Sequence, residues 1–443
     1  MGEVDCLLGP FRVRPCRLLT LLRVIVLFCL VDFYCNLQYV LDDASLTSLR
    51  SQLRTFHEKP MHRSIMVESR TATAATVSAL EEQATGGFSA CLLVKDDNHW
   101  LVEWIAYHYH VLPLRHLILM KDPSSITEPT EILDRWRDQM IVEEWTDDDF
   151  LPEWVLKKAA STNVTGIWLH LNRQKFFYSK CLQSLHARNR TWVLLTDSDE
   201  FVRINPYVHR LPAHVQKQPG YIGRFLDQIQ DQVLNRSCFL APRIQVSTVE
   251  KPSFRFLFFP WRGFRVPSSF DASDFLTLRF LYHNAQEMNA GKNIINLRYT
   301  DMEDFPEKSI QSVHRALPSC PNNTGNLLNA EQSHFQIQHY LGTFEQFTYR
   351  DDPRDSINDR WESWNSRGRR PEPTERDVGT TAWLEGFVET HGLRQALFLL
   401  RGCGKLEPRN EPDLRRKDPS GLLSSAANFS ACIVVKDDNH WLM

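Results

Sequence analysis

The chain lacks the features that would place it in several large protein classes. Lysine and arginine number 51 against 54 aspartates and glutamates, a net charge of −3, so it has no basic excess of the kind a nucleic-acid binder carries. With 18 glycines and 23 prolines in 443 residues, neither a collagen-like repeat nor a low-complexity chain is possible. None of the ten cysteines stands in a Cys-x-x-Cys pair, which argues against a zinc ribbon or a thioredoxin-type site. A long apolar run is missing too. The segment from Leu18 to Leu41 is interrupted by Arg23 and Asp32, leaving only Val24 to Val31 unbroken, against about twenty residues for a confident bilayer span. MGEVDC also lacks the hydroxyl residue that a myristoylation signal wants.

What remains is an ordinary globular composition, 42% hydrophobic and 24% charged, enough for one large core or two modest ones. Arg12, Arg14 and Arg17 precede the interrupted apolar segment and Asp42 and Asp43 follow it. That is the charge order of a signal anchor with its N-terminus in the cytosol, and a cleaved signal peptide is the alternative. Residues 1–17 then read as a cytosolic tail, 18–41 as anchor or signal peptide, and the polar 42–87 as a stem. Glycosylation sequons at Asn163, Asn189, Asn235, Asn322 and Asn428 fit lumenal exposure. The expectation is a single-pass type II protein of the Golgi or another secretory-pathway membrane. Downstream of the anchor, Cys91, Cys181, Cys238, Cys320, Cys403 and Cys432 are open to disulfide pairing, with a connectivity that the spacing does not reveal.

FSACLLVKDDNHWLV at residues 88–102 returns as FSACIVVKDDNHWLM at 429–443, changed only at Leu92/Ile433, Leu93/Val434 and Val102/Met443. A repeat at so long a period suggests a duplicated domain. The expected layout is a domain over 88–403, a charged, Pro-containing linker over 404–428, and the truncated start of a second copy over 429–443. Inside the domain, apolar runs alternate: ACLLV reads as a strand, HWLVEWIAYHYH as a helix, RHLILMK as a strand, PTEILDRWRDQ as a helix and MIVEEW as a strand. Such βα alternation predicts an α/β fold with a mostly parallel sheet flanked by helices. A less regular, aromatic-rich stretch over 220–345 follows, and AWLEGFVETHGLRQALFLL predicts a final amphipathic helix.

The chemistry concentrates in WVLLTDSDEF, residues 192–201, where an apolar strand stops at Asp197, Ser198, Asp199 and Glu200. Residues two apart on an extended chain point the same way, so Asp197 and Asp199 can address one hard divalent cation, Mn²⁺ or Mg²⁺, of the kind that shares its shell with substrate phosphates. The chain supplies a control in Asp147 and Asp149 of EEWTDDDF, which have the same spacing and read as a solvated acidic turn. The second pair differs in following a helix, KFFYSKCLQSLHARNR, and ending a strand, the place where open α/β sheets bind ligands.

Several pieces in order, ACLLVKDDNHWLVEWIAYH, RQKFFYSKCL before TWVLLTDSDEF, GKNIINL, SVHRALPSC and QHYLGTFEQFTYRDDPR, resemble glycosyltransferase family 92 over most of 88–400. The resemblance implies a GT-A type, Rossmann-like α/β fold and metal-dependent, inverting transfer of a hexose, galactose as the first expectation, from a UDP-linked nucleotide sugar to a glycan or glycoprotein acceptor. Carried over, it makes Asp197 and Asp199 the metal and diphosphate ligands, with His339 or His314 completing the shell. It places Lys95 and Asp96 near the nucleoside and gives Lys292 to a phosphate. The catalytic base is sought among Asp271, Asp274, Glu303 and Asp304, with Asp274 preferred, and Trp261 is a candidate for stacking on a sugar ring. Rival readings are a haloacid-dehalogenase-type phosphohydrolase, whose strand also ends in Asp-x-Asp, and a catalytically dead lectin-like or scaffold protein.

Overall fold

A computed structural model describes residues 74–161, 166–229, 236–249, 266–300, 310, 312, 314–317, 320, 333–350, 352, 360–368, 375–376 and 379–408. The expected tail, anchor, second copy and most of the linker lie outside these residues, as do Trp261, Glu303, Asp304 and the sequons other than Asn189. Among the described residues no helix is long and apolar enough to cross a membrane.

The strands among the described residues are β1 (Phe88–Val94), β2 (Leu114–Lys121), β3 (Ile141–Trp145), β4 (Trp192–Leu195), β5 (Glu200–Ile204), β6 (Cys238–Val246), β7 (Tyr282–Asn296), β8 (Phe335–His339) and β9 (Glu375–Arg376). They form one sheet in the order β3-β2-β1-β4-β7-β6-β8-β5, with β9 on β7. The first four strands are mutually parallel. Beyond them the sheet is mixed: β7 runs antiparallel to β4 and β6, β8 parallel to β6, and β5 antiparallel to β8. The segment over 220–345, read from sequence as irregular, therefore supplies three strands of the same sheet.

The parallel half follows from its apolar runs. Ala90, Leu92 and Val94 of β1 pack into one core with Trp100, Trp104 and Leu119, whereas Cys91 and Leu93, pointing the other way, join Ile118, Phe177 and Leu182 on the opposite face. This period-two alternation feeds a core on each side of the sheet, each fully buried leucine contributing about 1.5–3 kcal/mol. The helices Asn98–Val111 and Gly166–Ala187 cover the two faces. Cys91 is bonded to Cys181, fastening β1 to the second helix, and Cys238 to Cys320. Closing loops whose ends are 90 and 82 residues apart contributes about 4–5 kcal/mol each in the chain-entropy view. Cys403 is a buried free thiol.

Three boundaries differ from the sequence reading. The helix Ala74–Gly86 lies inside the expected stem, and Arg190 donates to its Glu81, so ordered structure starts before Phe88. At the other end Gly404 N–H donates to the His99 carbonyl at 2.9 Å and Asn98 to Glu407 at 2.5 Å, so the first linker residues pack on the domain. The expected final helix is two, Trp383–His391 and Leu393–Leu399. Between them Gly392 takes φ +75°, a conformation glycine adopts without steric cost and that ends a helix.

Candidate active site

The chain leaving β4 at Leu195 carries Asp197 and the turn that follows carries Asp199, beside a cavity of about 560 Å³ whose lining includes Lys95, Asp97, Asp197, Asp199, Arg243, Lys292, His314, His339, Arg350 and Asp352. Its far wall comes from the mixed half of the sheet. Glu200 opens β5 directly opposite His339, the last residue of β8, and His339 is in register with Gln245 of β6. Residues paired across adjacent strands present their side chains to the same face, so one row across three strands places Glu200, His339 and Gln245 together. Gln245 Oε1 lies 2.7 Å from His339 Nδ1, which fixes the ring and turns Nε2 to Asp199 Oδ2 at 3.4 Å.

Two of the three residues expected to hold a metal, Asp199 and His339, thus meet. Asp199, Glu200 and His339 form a buried group whose ligand atoms all lie within 4.8 Å of one another. Asp199 Oδ1 is buried with no hydrogen-bond partner, an unsatisfied anionic oxygen of the kind a cation satisfies. The oxygen and imidazole donors suit Mn²⁺ or Mg²⁺. Glu200 fits less well as a ligand, because Oε1 accepts from Arg243 at 3.1 Å while Oε2 accepts the Asp197 N–H at 2.9 Å and sits 3.2 Å from Lys292.

Asp197 is held differently from Asp199. Its Oδ2 accepts from Lys292 Nζ at 2.8 Å, and its side chain is 34% exposed where that of Lys292 is 2%, so the carboxylate faces the cavity and the ammonium lies behind it. Burial would raise the Asp197 carboxyl, but the adjoining Lys292 outweighs this and holds it far below the usual carboxylate range. Burial likewise opposes, and His339 outweighs, in lowering Asp199. Both carboxylates are therefore ionised across the physiological range. Lys292 is reached through Gly291, where a Cβ would stand 2.4 Å from the Ala241 carbonyl oxygen. Only glycine allows β7 that close to β6.

The turn after β1 corrects one expectation. Asp96 adopts φ +55° and its Oδ1 accepts the N–H groups of Ile126 and Thr127 at 2.6 and 2.9 Å and the Ser125 hydroxyl at 3.0 Å. That carboxylate fastens a loop and does not line the cavity. Asp97 lines it instead, with Oδ2 accepting from the Ser198 hydroxyl at 2.8 Å and the Lys95 N–H at 3.2 Å and Oδ1 buried without a partner. Burial pushes the Asp97 carboxyl up to about 6 against the pull of Arg350. Lys95 does line the cavity, as does His314, whose Nδ1 is 2.9 Å from the Gly291 carbonyl oxygen.

Asp274 is not brought to the site. Its carboxylate pairs with Lys405 and it is absent from the cavity wall, because the turn carrying it packs under the chain leaving the last helix, where Cys403 Sγ lies 3.4 Å from its carbonyl oxygen. Asp271 caps its own turn, accepting the Ser273 N–H at 2.9 Å, and is likewise absent from the wall. Sequence reasoning passed over Asp97, Glu200, Arg243 and Arg350. Asp97 and Glu200 stood next to residues already singled out, and Arg350 lay within the quoted QHYLGTFEQFTYRDDPR. Arg243 carried no motif, and register alone brings it in.

No protein-family model matches the chain, and no curated protein matches it in sequence. Among solved structures, the crystal structure of S. aureus TarS aligns over 70% of this chain and 50% of TarS at 9% identity and a TM-score of 0.22. The alignment thus spans half of TarS, and at that score the likeness is too slight to bear on function.

Proposed function

We propose that the protein is a metal-dependent glycosyltransferase that uses a nucleotide-sugar donor. The observation carrying this reading is the Asp199 and His339 pair, ordered by Gln245 and holding an unpartnered buried carboxylate oxygen, beside an ionised Asp197 in a polar cavity. When bound there, a divalent cation neutralises the donor's diphosphate and makes it a better leaving group. Asp199 and His339 would hold the ion, and Asp197, backed by Lys292, would add a second carboxylate in the same cavity. The acceptor hydroxyl oxygen attacks the anomeric carbon, the bond from that carbon to the diphosphate oxygen breaks, and the hydroxyl proton passes to a carboxylate base. Asp352, which lines the cavity, takes the place of Asp274 as the candidate base.

The finer terms rest on the sequence resemblance: inversion, a UDP-linked hexose with galactose as the first trial, and a glycan or glycoprotein acceptor. The two disulfides support folding in an oxidising compartment, and Asn189 is exposed in a turn, as glycosylation of its sequon would require. Both agree with a lumenal enzyme of the secretory pathway. The test is donor hydrolysis and transfer from a panel of UDP- and GDP-sugars, with Mn²⁺ or with EDTA. Metal-dependent turnover of one donor supports the reading. Cleavage of a phosphate monoester with no sugar-nucleotide turnover would give the site to a phosphohydrolase, and no turnover or binding at all would leave a scaffold.

A further inference from the structure

We propose that Arg350, and not Lys292, grips the diphosphate of the donor. The inference rests on the transferase reading above and assigns the anion subsite within it. Lys292 was the candidate from sequence, but the fold spends it internally: its three-donor ammonium lies 2.8 Å from Asp197 and 3.2 Å from Glu200, and only 1% of the residue is exposed. Two of its three donors are taken, so a phosphate reaching Lys292 would compete with two carboxylates for one nearly inaccessible ammonium. Arg243 also lines the cavity, but it is drawn to Glu200 at 3.1 Å.

Arg350 is placed differently. It follows the helix Phe344–Tyr349, lines the same cavity as Asp197 and Asp199, and retains 23% side-chain exposure. Its nitrogens approach Asp97 and Asp352 at 3.7 Å each, close enough for charge attraction and too far for a hydrogen bond. The forked N–H donors are therefore held in place by charge and remain unspent on any described residue. A planar guanidinium with free donors matches the paired oxygens of a phosphate bidentately, which an ammonium cannot do. Asp97 and Asp352 on either side fix its direction, so little side-chain entropy remains to be lost when the anion arrives.

The test is calorimetric titration of the folded protein with UDP and GDP in Mn²⁺, and with Mn²⁺ alone, for wild type, Arg350→Gln and Arg350→Lys. Losing charge-assisted hydrogen bonds of this kind predicts about 10- to 100-fold weaker nucleotide binding in Arg350→Gln. Arg350→Lys, which keeps charge without the fork, falls between and carries the test if the glutamine variant does not fold. Both variants bind Mn²⁺ alone as wild type does. Unchanged nucleotide affinity in Arg350→Gln overturns the assignment, as does loss of Mn²⁺ binding together with nucleotide binding, which would make Arg350 an organiser of the ion site. If wild type binds neither nucleotide, the transferase reading itself fails and the assignment falls with it.

Discussion

The same three-residue pattern occurs twice in this chain with opposite outcomes. In the short helix Asp147–Phe150 Asp149 is exposed and Asp147 is partly buried, and each carboxylate is satisfied by a described neighbour. Asp149 accepts the N–H and hydroxyl of Thr146 at 2.6 and 3.0 Å, and Asp147 accepts Arg173 at 2.7 Å. Asp197 and Asp199 instead follow the end of a central strand, and their partners Lys292 and His339 come from strands 95 and 140 residues further along. One Asp199 oxygen is left over. A pattern of aspartates becomes a candidate metal site when distant strands supply its partners and still leave a buried carboxylate oxygen unsatisfied.

The largest contrast should appear in stability. Lys292→Met leaves the buried Glu200 and the cavity-facing Asp197 without their ammonium and is expected to cost about 3–5 kcal/mol in chemical denaturation, while Thr146→Val, which removes the exposed hydroxyl bonded to Asp149, costs about 1 kcal/mol or less. Equal losses would erase the distinction between the two pairs. Next comes activity, where Asp199→Ala is expected to lower metal-dependent kcat/KM by about 100-fold or more, with Asp149→Ala unchanged.

A pH effect follows, smaller again. The buried Asp97 carboxyl has its folded pKa raised from 3.8 to about 6, so the folded state binds the proton more tightly, and this group's contribution to stability falls as pH rises through that window. Asp97→Asn removes the fall. Its stability relative to wild type should grow by on the order of 2 kcal/mol between pH 4 and pH 6.5, read from denaturation midpoints at each pH. A flat difference would place the group at an ordinary pKa.

Legibility from sequence followed the same line of division. The strands β1 and β4 announce themselves because both faces are largely buried and they read as nearly unbroken apolar runs. The strands β6 to β8 carry polar residues such as Arg243, Gln245, Lys292 and His339 on their site-facing positions, so the pattern that identifies a strand is interrupted where the site is built. Asp197, Asp199, Lys292 and His339 were readable as types, and the pairing of Lys292 with Asp197 was not, since it depends on the β4–β7 register. Asp96 and Asp97 are chemically alike in sequence. The left-handed turn at Asp96 decides which of them faces the cavity.

The most direct measurement of the central claim is Mn²⁺ binding by calorimetry to wild type, Asp199→Ala and Asp149→Ala. The account predicts one bound ion in wild type and in Asp149→Ala with equal affinity, and loss of that ion in Asp199→Ala. Wild-type binding in Asp199→Ala, or its loss in Asp149→Ala, would contradict the assignment of the site to the strand-end pair.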